Sequence, residues 1–382
     1  MSRKLLDKNF CVIPWTGFEL EPNGDVKNCV LSKDIIGNIA EQPIDQILKN
    51  NSKIRQDMLD GNYPSSCQGC YLQEKHRAKN FDSISSRIYY AKSIGPSISK
   101  NLLDNKDNVE LRHVDLRWTN ACNQACVYCS PNLSSKWATE LGKKILQDKK
   151  GIQQVKDYVF SNIKSLKNVY LAGGEPMLMK ANEEFLSLLS KKNPECTIRV
   201  NTNLSKTSTK IFDQLCHFKN VHWTVSVEAI EKEYEYIRHH GNWQDFTNNL
   251  KIIKTLPHRI SFNMLYFLLN YRSLFDCVEY FQKLKFHDNS FVIGPLHDPD
   301  YLNILNLPKH IIKQLITILK NKINENKGFL LQNSYQNLLQ HLTETDFHAN
   351  IDNTKKGLKK MDQRRHLDSK EIFPALYKEV LV

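Results

Sequence analysis

The sequence predicts an α/β fold: a partial (β/α)6 TIM-like barrel with a small N-terminal metal-stapled domain and a helical C-terminal extension. Three observations lead there. Between residues 111 and 295, six β-like runs alternate with helix-length segments, the pattern of parallel βαβ units. Polar residues or glycine close the first four runs, so successive strands aim chemistry at one mouth. Four cysteines within the first 70 residues staple a stretch too poor in apolar side chains to hold itself.

In chain order, Pro22-Asn23-Gly24-Asp25 is a turn between short β-like runs, predicting a hairpin with Cys29 on its returning strand. An amphipathic helix is expected over about 43–59. LRHVDLRW (111–118) is the first barrel strand, followed by a polar helical stretch over 133–165. NVYLAGGEP (168–176), CTIRVNTN (196–203), HWTVSVEA (222–229), RISFNMLYFLL (259–269) and NSFVIGP (289–295) are the next five. Helices are expected over 181–192, 206–218, up to about 254, and 274–285. Right-handed crossovers would curl these units into a partial barrel. The expected domains are 1–100, 108–300 for the barrel, and 301–382 for the helical extension.

With 41% hydrophobic and 25% charged residues, the 382-residue chain reads as globular, with size for more than one unit. No run of about 18 apolar residues is present, which argues against a membrane helix. MSRKLLDKNF lacks a signal-peptide core, so a cytoplasmic location is expected. The net charge of +12 would suit nucleic acid, but the tightest basic clusters (Lys355-Lys356, Lys359-Lys360, Arg364-Arg365) have no interleaved aromatic platform. They read as a solvated helix face, and an acidic redox partner would suit the same charge.

Cysteine usage says more. A reducing compartment favours thiolate ligation over disulfides. CNQACVYCS (122–130) spaces Cys122, Cys126 and Cys129 as CxxxCxxC. A structural zinc wants four closed ligands, and no fourth Cys or His lies within that loop. An iron–sulfur cube held by three cysteines keeps one iron free, open to the amino nitrogen and carboxylate oxygen of a small molecule.

This loop resembles the CxxxCxΦC signature of radical S-adenosylmethionine (SAM) enzymes, Φ being Tyr128. Gly173-Gly174-Glu175-Pro176 resembles their GGEP motif. Together, about 50 residues apart on successive strands, the two are far more specific than either alone. The resemblance covers roughly 110–295. It implies a [4Fe–4S] cluster on Cys122, Cys126 and Cys129 whose free iron chelates SAM, and a 5′-deoxyadenosyl radical that takes a hydrogen atom from substrate. It also implies SAM contacts: Tyr128 beside the adenine, Gly173, Gly174, Glu175 and Pro176 around the methionine amino group, Asn203 and Ser226 at strand ends, and Arg238 at the carboxylate. A reductant such as flavodoxin or ferredoxin is implied as a partner.

Cys11-x12-Gly24-x4-Cys29, with Cys67 and Cys70 in SSCQGC, resembles the twitch domain, the shortened relative of the SPASM domain. There, four cysteines hold one auxiliary [4Fe–4S] cluster. The further cysteines of a two-cluster SPASM domain are absent, with His76 where one would fall, and this domain precedes the barrel instead of following it. Zinc on the four cysteines is the competing reading, because a CxxC pair joined to two distant cysteines is also zinc geometry. Full ligation of an iron–sulfur cluster favours an electron-accepting role.

Cys196, Cys216 and Cys277 read as buried free thiols, His239-His240 as a helix-end pair, and Tyr266, Phe267 and Tyr271 as strand core and edge. Glu228 reads as a mouth-facing proton acceptor or a SAM contact, and Trp15 as packing over the auxiliary cluster. No catalytic acid or base is legible. The expected reaction is hydrogen abstraction from a peptide or protein. A dehydrogenase of a small alcohol or sugar is the alternative, and a zinc-stapled nucleic-acid-binding protein the non-enzyme one.

Overall fold

The computed structural model describes residues 9–75, 86–99, 101–143, 149–326, 330–345 and 350–381; His76 lies outside them. Among the described residues, nine strands form one sheet: β1 Gly17–Leu20, β2 Asp25–Lys27, β3 Ile35–Asn38, β4 His113–Leu116, β5 Asn168–Leu171, β6 Thr197–Thr202, β7 Val221–Ser226, β8 Arg259–Tyr266 and β9 Phe291–Pro295. Their order is β3-β2-β1-β4-β5-β6-β7-β8-β9, open at both ends, which fits a partial barrel. The six expected barrel strands are β4 to β9, each parallel to the next.

The N-terminal hairpin does not stand apart from that sheet. β1 pairs parallel with β4, Gly17 beside His113 through Leu20 beside Leu116, so the cysteine-rich segment extends the barrel at its first edge. β1 and β2 are antiparallel around the turn, where Gly24 takes the left-handed φ of +89°. Cys29 lies just past β2 instead of on it, because the chain has already entered a turn in which Ser32 N donates to Cys29 O (2.9 Å). The helix expected over 43–59 is two helices, Ile44–Lys49 and Ser52–Leu59. Between them Asn50 Nδ2 donates to Ile36 O of β3 (2.7 Å).

Side chains alternate between the two faces of each strand. One face is apolar: Phe18, Val114, Val169 and Ile198 lie side by side, as do Leu20, Leu116, Leu171, Val200 and Trp223, all in the main core. The opposite face is polar, with Glu19, Asp115, Tyr170, Arg199 and His222 in one row. Asn201, Thr224 and Ser261 form a second row, and Ser226 and Asn263 a third. Along this face Glu19, Asp115 and Ser261 are buried, whereas Asn263 is exposed. Near the strand starts, the helix Ser86–Ile94 floors the face. Tyr89 Oη donates to Asn168 Oδ1 (3.1 Å), Asn168 Nδ2 to Ser93 Oγ (3.2 Å), and Tyr90 Oη meets His113 Nε2 (3.2 Å).

Beyond β9 come the helices Lys309–Glu325, Leu330–Glu344 and Ile351–Arg365, as the polar helical pattern predicts. Leu330–Glu344 packs along β9, where Ile293 N donates to Ser334 Oγ (3.1 Å). Among the described residues, no helix is long and apolar enough to cross a membrane.

Candidate functional site

The loop after β4 has no regular structure, so its backbone groups borrow partners. Ala125 N donates to His239 O (2.9 Å) and Val127 N to Ile237 O (2.8 Å). Ser134 Oγ donates to Gln124 O (2.6 Å), and Trp137 Nε1 to Cys126 O (2.7 Å). Gly174 is pressed against the loop from β5: a Cβ there would lie 2.2 Å from Ala121 O, and Glu175 N donates to the same carbonyl (2.7 Å). The second glycine of GGEP is therefore required by the approach of one loop to another. Gly173, at φ +110°, makes the turn that permits it.

These contacts gather three thiols. Cys126 is buried, and Cys122 and Cys129 are half-buried. Burial pushes all three pKa values up, that of Cys129 to about 12; the Cys126 sulfur adds to the shift of Cys122 and Cys129, while Arg238 opposes that of Cys126. Behind them lies a charged network. Arg238 Nε and Nη2 grip both oxygens of Glu228 (2.8 and 2.6 Å), Nη2 also donates to Tyr128 Oη (2.7 Å), and Nη1 lies 3.8 Å from Cys126 Sγ. Tyr128 Oη donates to Glu228 Oε1 (3.0 Å). Arg238 thus spends its fork on Glu228 and faces a thiol with its remaining nitrogen. Glu228 is 1% exposed and tied up, so it is placed as a structural counter-ion.

Asn203 joins the other side, with Nδ2 3.9 Å from Cys122 Sγ and 3.0 Å from Asn123 Oδ1. Its backbone N–H and the Thr202 hydroxyl each donate to Glu175 at 2.7 Å, and Met177 N donates at 3.2 Å. Burial still holds the Glu175 pKa up, to about 7, against those donors. Pro176 opens a short turn whose carbonyl accepts from Asn182 Nδ2 (2.9 Å). Ser226 ends β7 on the polar face beside Asn263, apart from this network.

The second cysteine site is built differently. Cys11 and Cys29 from loops, Cys67 at the end of a short helical turn and Cys70 in the helix Gln68–Lys75 line one cavity with Tyr71, Arg87 and Tyr90. Burial first, then mutual repulsion, raises the Cys29 pKa to about 12 and that of Cys67 to about 11. Arg87 is held by Glu74 (3.0 and 2.7 Å) and donates to Phe10 O (3.0 Å). Trp15 is not over the cavity. It packs behind it, in a small core of Phe10, Val12, Met58, Leu102 and Leu103, with its Nε1 bonded to Asn105 O (3.0 Å). That core is small, and the other buried apolar residues of the segment, among them Phe18, Leu20, Val26, Ile44 and Ile47, join the main core of the barrel instead.

Cys196 and Cys277 are buried, and Tyr266, Phe267 and Tyr271 are core, Phe267 meeting the Tyr128 ring edge-on at 5.8 Å. The sequence gives no sign of Arg117, which forms ion pairs with Asp115 (3.0 Å), Glu19 (3.1 Å) and Glu21 (3.4 Å) at the end of the polar face. Burial, then Asp115, pushes the Glu19 carboxyl up, against the opposing pull of Arg117. Only spacing along β1 could have hinted at it, since Glu19 interrupts the apolar GFEL.

Among the described residues, no three His, Cys, Asp or Glu are drawn close enough to hold a single metal ion. The thiols instead surround space. Buried thiols that repel one another need positive charge among them to ionise, and an iron–sulfur cube supplies it. Both donor sets fit such a group, three sulfurs in one case and four in the other.

The comparisons agree. Residues 116–281 match the radical SAM superfamily, and residues 11–71 match an iron–sulfur cluster-binding domain, SPASM, which favours iron–sulfur over zinc on the four cysteines. No curated protein matches the chain. Among solved structures, native anSMEcpe with bound AdoMet is 16% identical, with a TM-score of 0.39 over 55% of this chain and 60% of that one. SuiB of Streptococcus suis bound to S-adenosylmethionine is 14% identical, with a TM-score of 0.42 over 79% and 66%. SuiB bound to its precursor peptide SuiA is 13% identical, with a TM-score of 0.42 over 76% and 65%. The chain thus spans about three fifths of the length of anSMEcpe.

Proposed function

We propose, for a chain that carries a radical SAM domain behind an N-terminal iron–sulfur cluster-binding domain, a SAM-dependent enzyme that takes a hydrogen atom from a peptide or protein substrate. Cys122, Cys126 and Cys129 would hold a [4Fe–4S] cluster with SAM at its free iron, and Cys11, Cys29, Cys67 and Cys70 an auxiliary [4Fe–4S] cluster. When bound, these groups supply one-electron cleavage of SAM to a 5′-deoxyadenosyl radical. The units are 1–100, 108–300 and 301–382, the reductant is of the flavodoxin or ferredoxin type, and the setting is cytoplasmic.

The chain's own residues prepare the site. Asn203 and Arg238 direct N–H groups at Cys122 and Cys126, a favourable arrangement for sulfur carrying negative charge. Gly173, Gly174, Glu175 and Pro176 set the wall opposite, and Tyr128 presents a ring whose hydroxyl is pinned. Arg199, Asn201, Thr224, Ser226 and Asn263 offer hydrogen bonds to substrate along the polar face. Glu19 and Asp115 stand at its edge as the carboxyl pair able to hold a proton.

The carrying observation is the pair of cysteine sites on one polar-faced sheet, one short of a ligand and one complete. A peptide suits the exposed part of the polar face, where Asn263 and Val292 lie side by side. The hydrogen-bonding wall equally suits a small alcohol or sugar, which is the second reading. Anaerobic purification tests the proposal: a brown protein with about eight irons, four per cluster, should yield 5′-deoxyadenosine from SAM under reduction. Colourless zinc protein, or iron without SAM cleavage, would overturn it. Deuterium passing into 5′-deoxyadenosine from a labelled peptide but not from a labelled polyol separates the two substrate readings.

A further inference from the structure

Resting on that reading, we propose that the helix Ile351–Arg365 is the docking surface for the protein that reduces the cluster, and that this donor is a small acidic one-electron carrier. One electron leaves the donor and one enters the cluster; nothing else is consumed.

Cys126 is only 8% exposed, so no partner reaches it directly. One bonded route outward runs through Trp137, whose indole N–H holds Cys126 O. Over that ring lie two guanidinium groups from the end of the helix, Arg365 at 4.5 Å and Arg364 at 5.7 Å. Glu140, on the helix that bears Trp137, anchors both (3.1 and 3.4 Å). Tyr236 Oη donates to Asp362 Oδ1 (2.7 Å), a further attachment. The last turn of the helix is thus seated on the back of the cysteine loop.

Its outer side is basic. Lys356, Lys359, Lys360 and Gln363 follow at i, i+3, i+4 and i+7 and are all exposed. Lys136, beside Trp137, is exposed as well. Of the exposed acids nearby, Asp352 lies at the start of the helix, and Asp368 lines a groove with Lys359 and Gln363 past its end. Asp362 is engaged with Tyr236 and Ser369. Lys356, Lys359 and Lys360 therefore form an exposed cationic patch along the middle of the helix, whose last turn is the part seated on Trp137. A merely solvated face has no reason to seat its cationic end on a ring one hydrogen bond from a cluster ligand. Nucleic acid fits less well, because no exposed aromatic accompanies these lysines. Charge of this kind speeds the encounter with an acidic partner.

The test uses the full chain with its clusters and the variant K356E/K359E/K360E. Bleaching of cluster absorbance is followed after mixing with reduced flavodoxin and, separately, with dithionite. The flavodoxin rate should fall about 10-fold or more at low salt, and the wild-type rate should drop as salt rises. Iron content should be unchanged and the dithionite rate nearly so. The milder K356Q/K359Q/K360Q should fall between, which guards against a fold disturbed by reversed charge. Equal flavodoxin rates in wild type and variants, or equal losses with both reductants, overturns the docking surface. So does salt-sensitive oligonucleotide binding that the substitutions abolish while the flavodoxin rate stands. If dithionite bleaches nothing in the wild type, the radical-enzyme reading itself falls.

Discussion

The two cysteine sites reach similar chemistry by opposite routes. Cys122, Cys126 and Cys129 sit in one eight-residue loop, and the effort of the fold goes into holding that loop from outside. Cys11, Cys29, Cys67 and Cys70 come from segments up to 59 residues apart, and the effort goes into gathering them. A short loop leaves a corner for a cosubstrate. A gathered tetrad closes on itself, and the group it holds would cross-link chain that packs on a small core of its own.

The largest expected effect separates the two by function. C126A should lose about four irons and all 5′-deoxyadenosine formation. C67A should also lose about four irons yet keep SAM cleavage within a few fold, while losing substrate product. Unchanged substrate turnover in C67A would break the comparison, as would loss of all SAM cleavage there.

Next comes the charged backing of the triad. R238Q leaves Glu228 buried without its partner, which costs about 3–5 kcal/mol in denaturant unfolding. Adding E228Q should recover much of that, since removing both charges removes the unpaired one. A double variant as weak as R238Q would deny the pairing.

A smaller contrast uses two glycines, one at each site. Gly174→Ala forces a methyl to within 2.2 Å of Ala121 O, and an overpacked backbone of this kind costs about 1–3 kcal/mol. Gly69, between Cys67 and Cys70 in the helix Gln68–Lys75, has room, its nearest neighbour being Leu31 O at 3.8 Å. Gly69→Ala should stabilise by about 0.5–1 kcal/mol through helix propensity. Melting curves of both variants decide it.

A pH-dependent effect lies between the sites. Burial lowers the pKa of His113 to about 3, and burial likewise lowers that of His222 to about 3. Each stays neutral when folded and takes a proton when unfolded below about 6.5. Their contribution to stability is complete above about pH 6.5 and shrinks as pH falls toward 3, with a slope of up to about 1.4 kcal/mol per pH unit for each. H113Q should flatten part of that slope in melts between pH 4 and 7.

Much of this was legible in the sequence where the signal is local. The six barrel strands, the CxxxCxxC loop and GGEP each occupy a few consecutive residues, and period-two patterning marks the strands. What could not be read depends on distant partners. Four residues, GFEL, carry nothing that names β4 as their neighbour, so the joining of hairpin and barrel was invisible. Arg238 resembles a SAM-binding arginine by position alone, and only the fold shows its fork closed on Glu228. Glu19 looks like an ordinary strand carboxylate until Asp115 and Arg117 are brought beside it.

The parallel pairing of β1 with β4 also sets a timetable. All four cysteines of the closed site are synthesised before β4 exists, so β1 waits with one edge unpaired while some 90 residues are added. During that interval a filled tetrad is what can hold β1, β2 and β3 in register. The closed site would then serve as a template on which the barrel sheet starts to grow, and a nascent chain starved of iron would present its first strands with an open edge, the kind of surface on which chains aggregate.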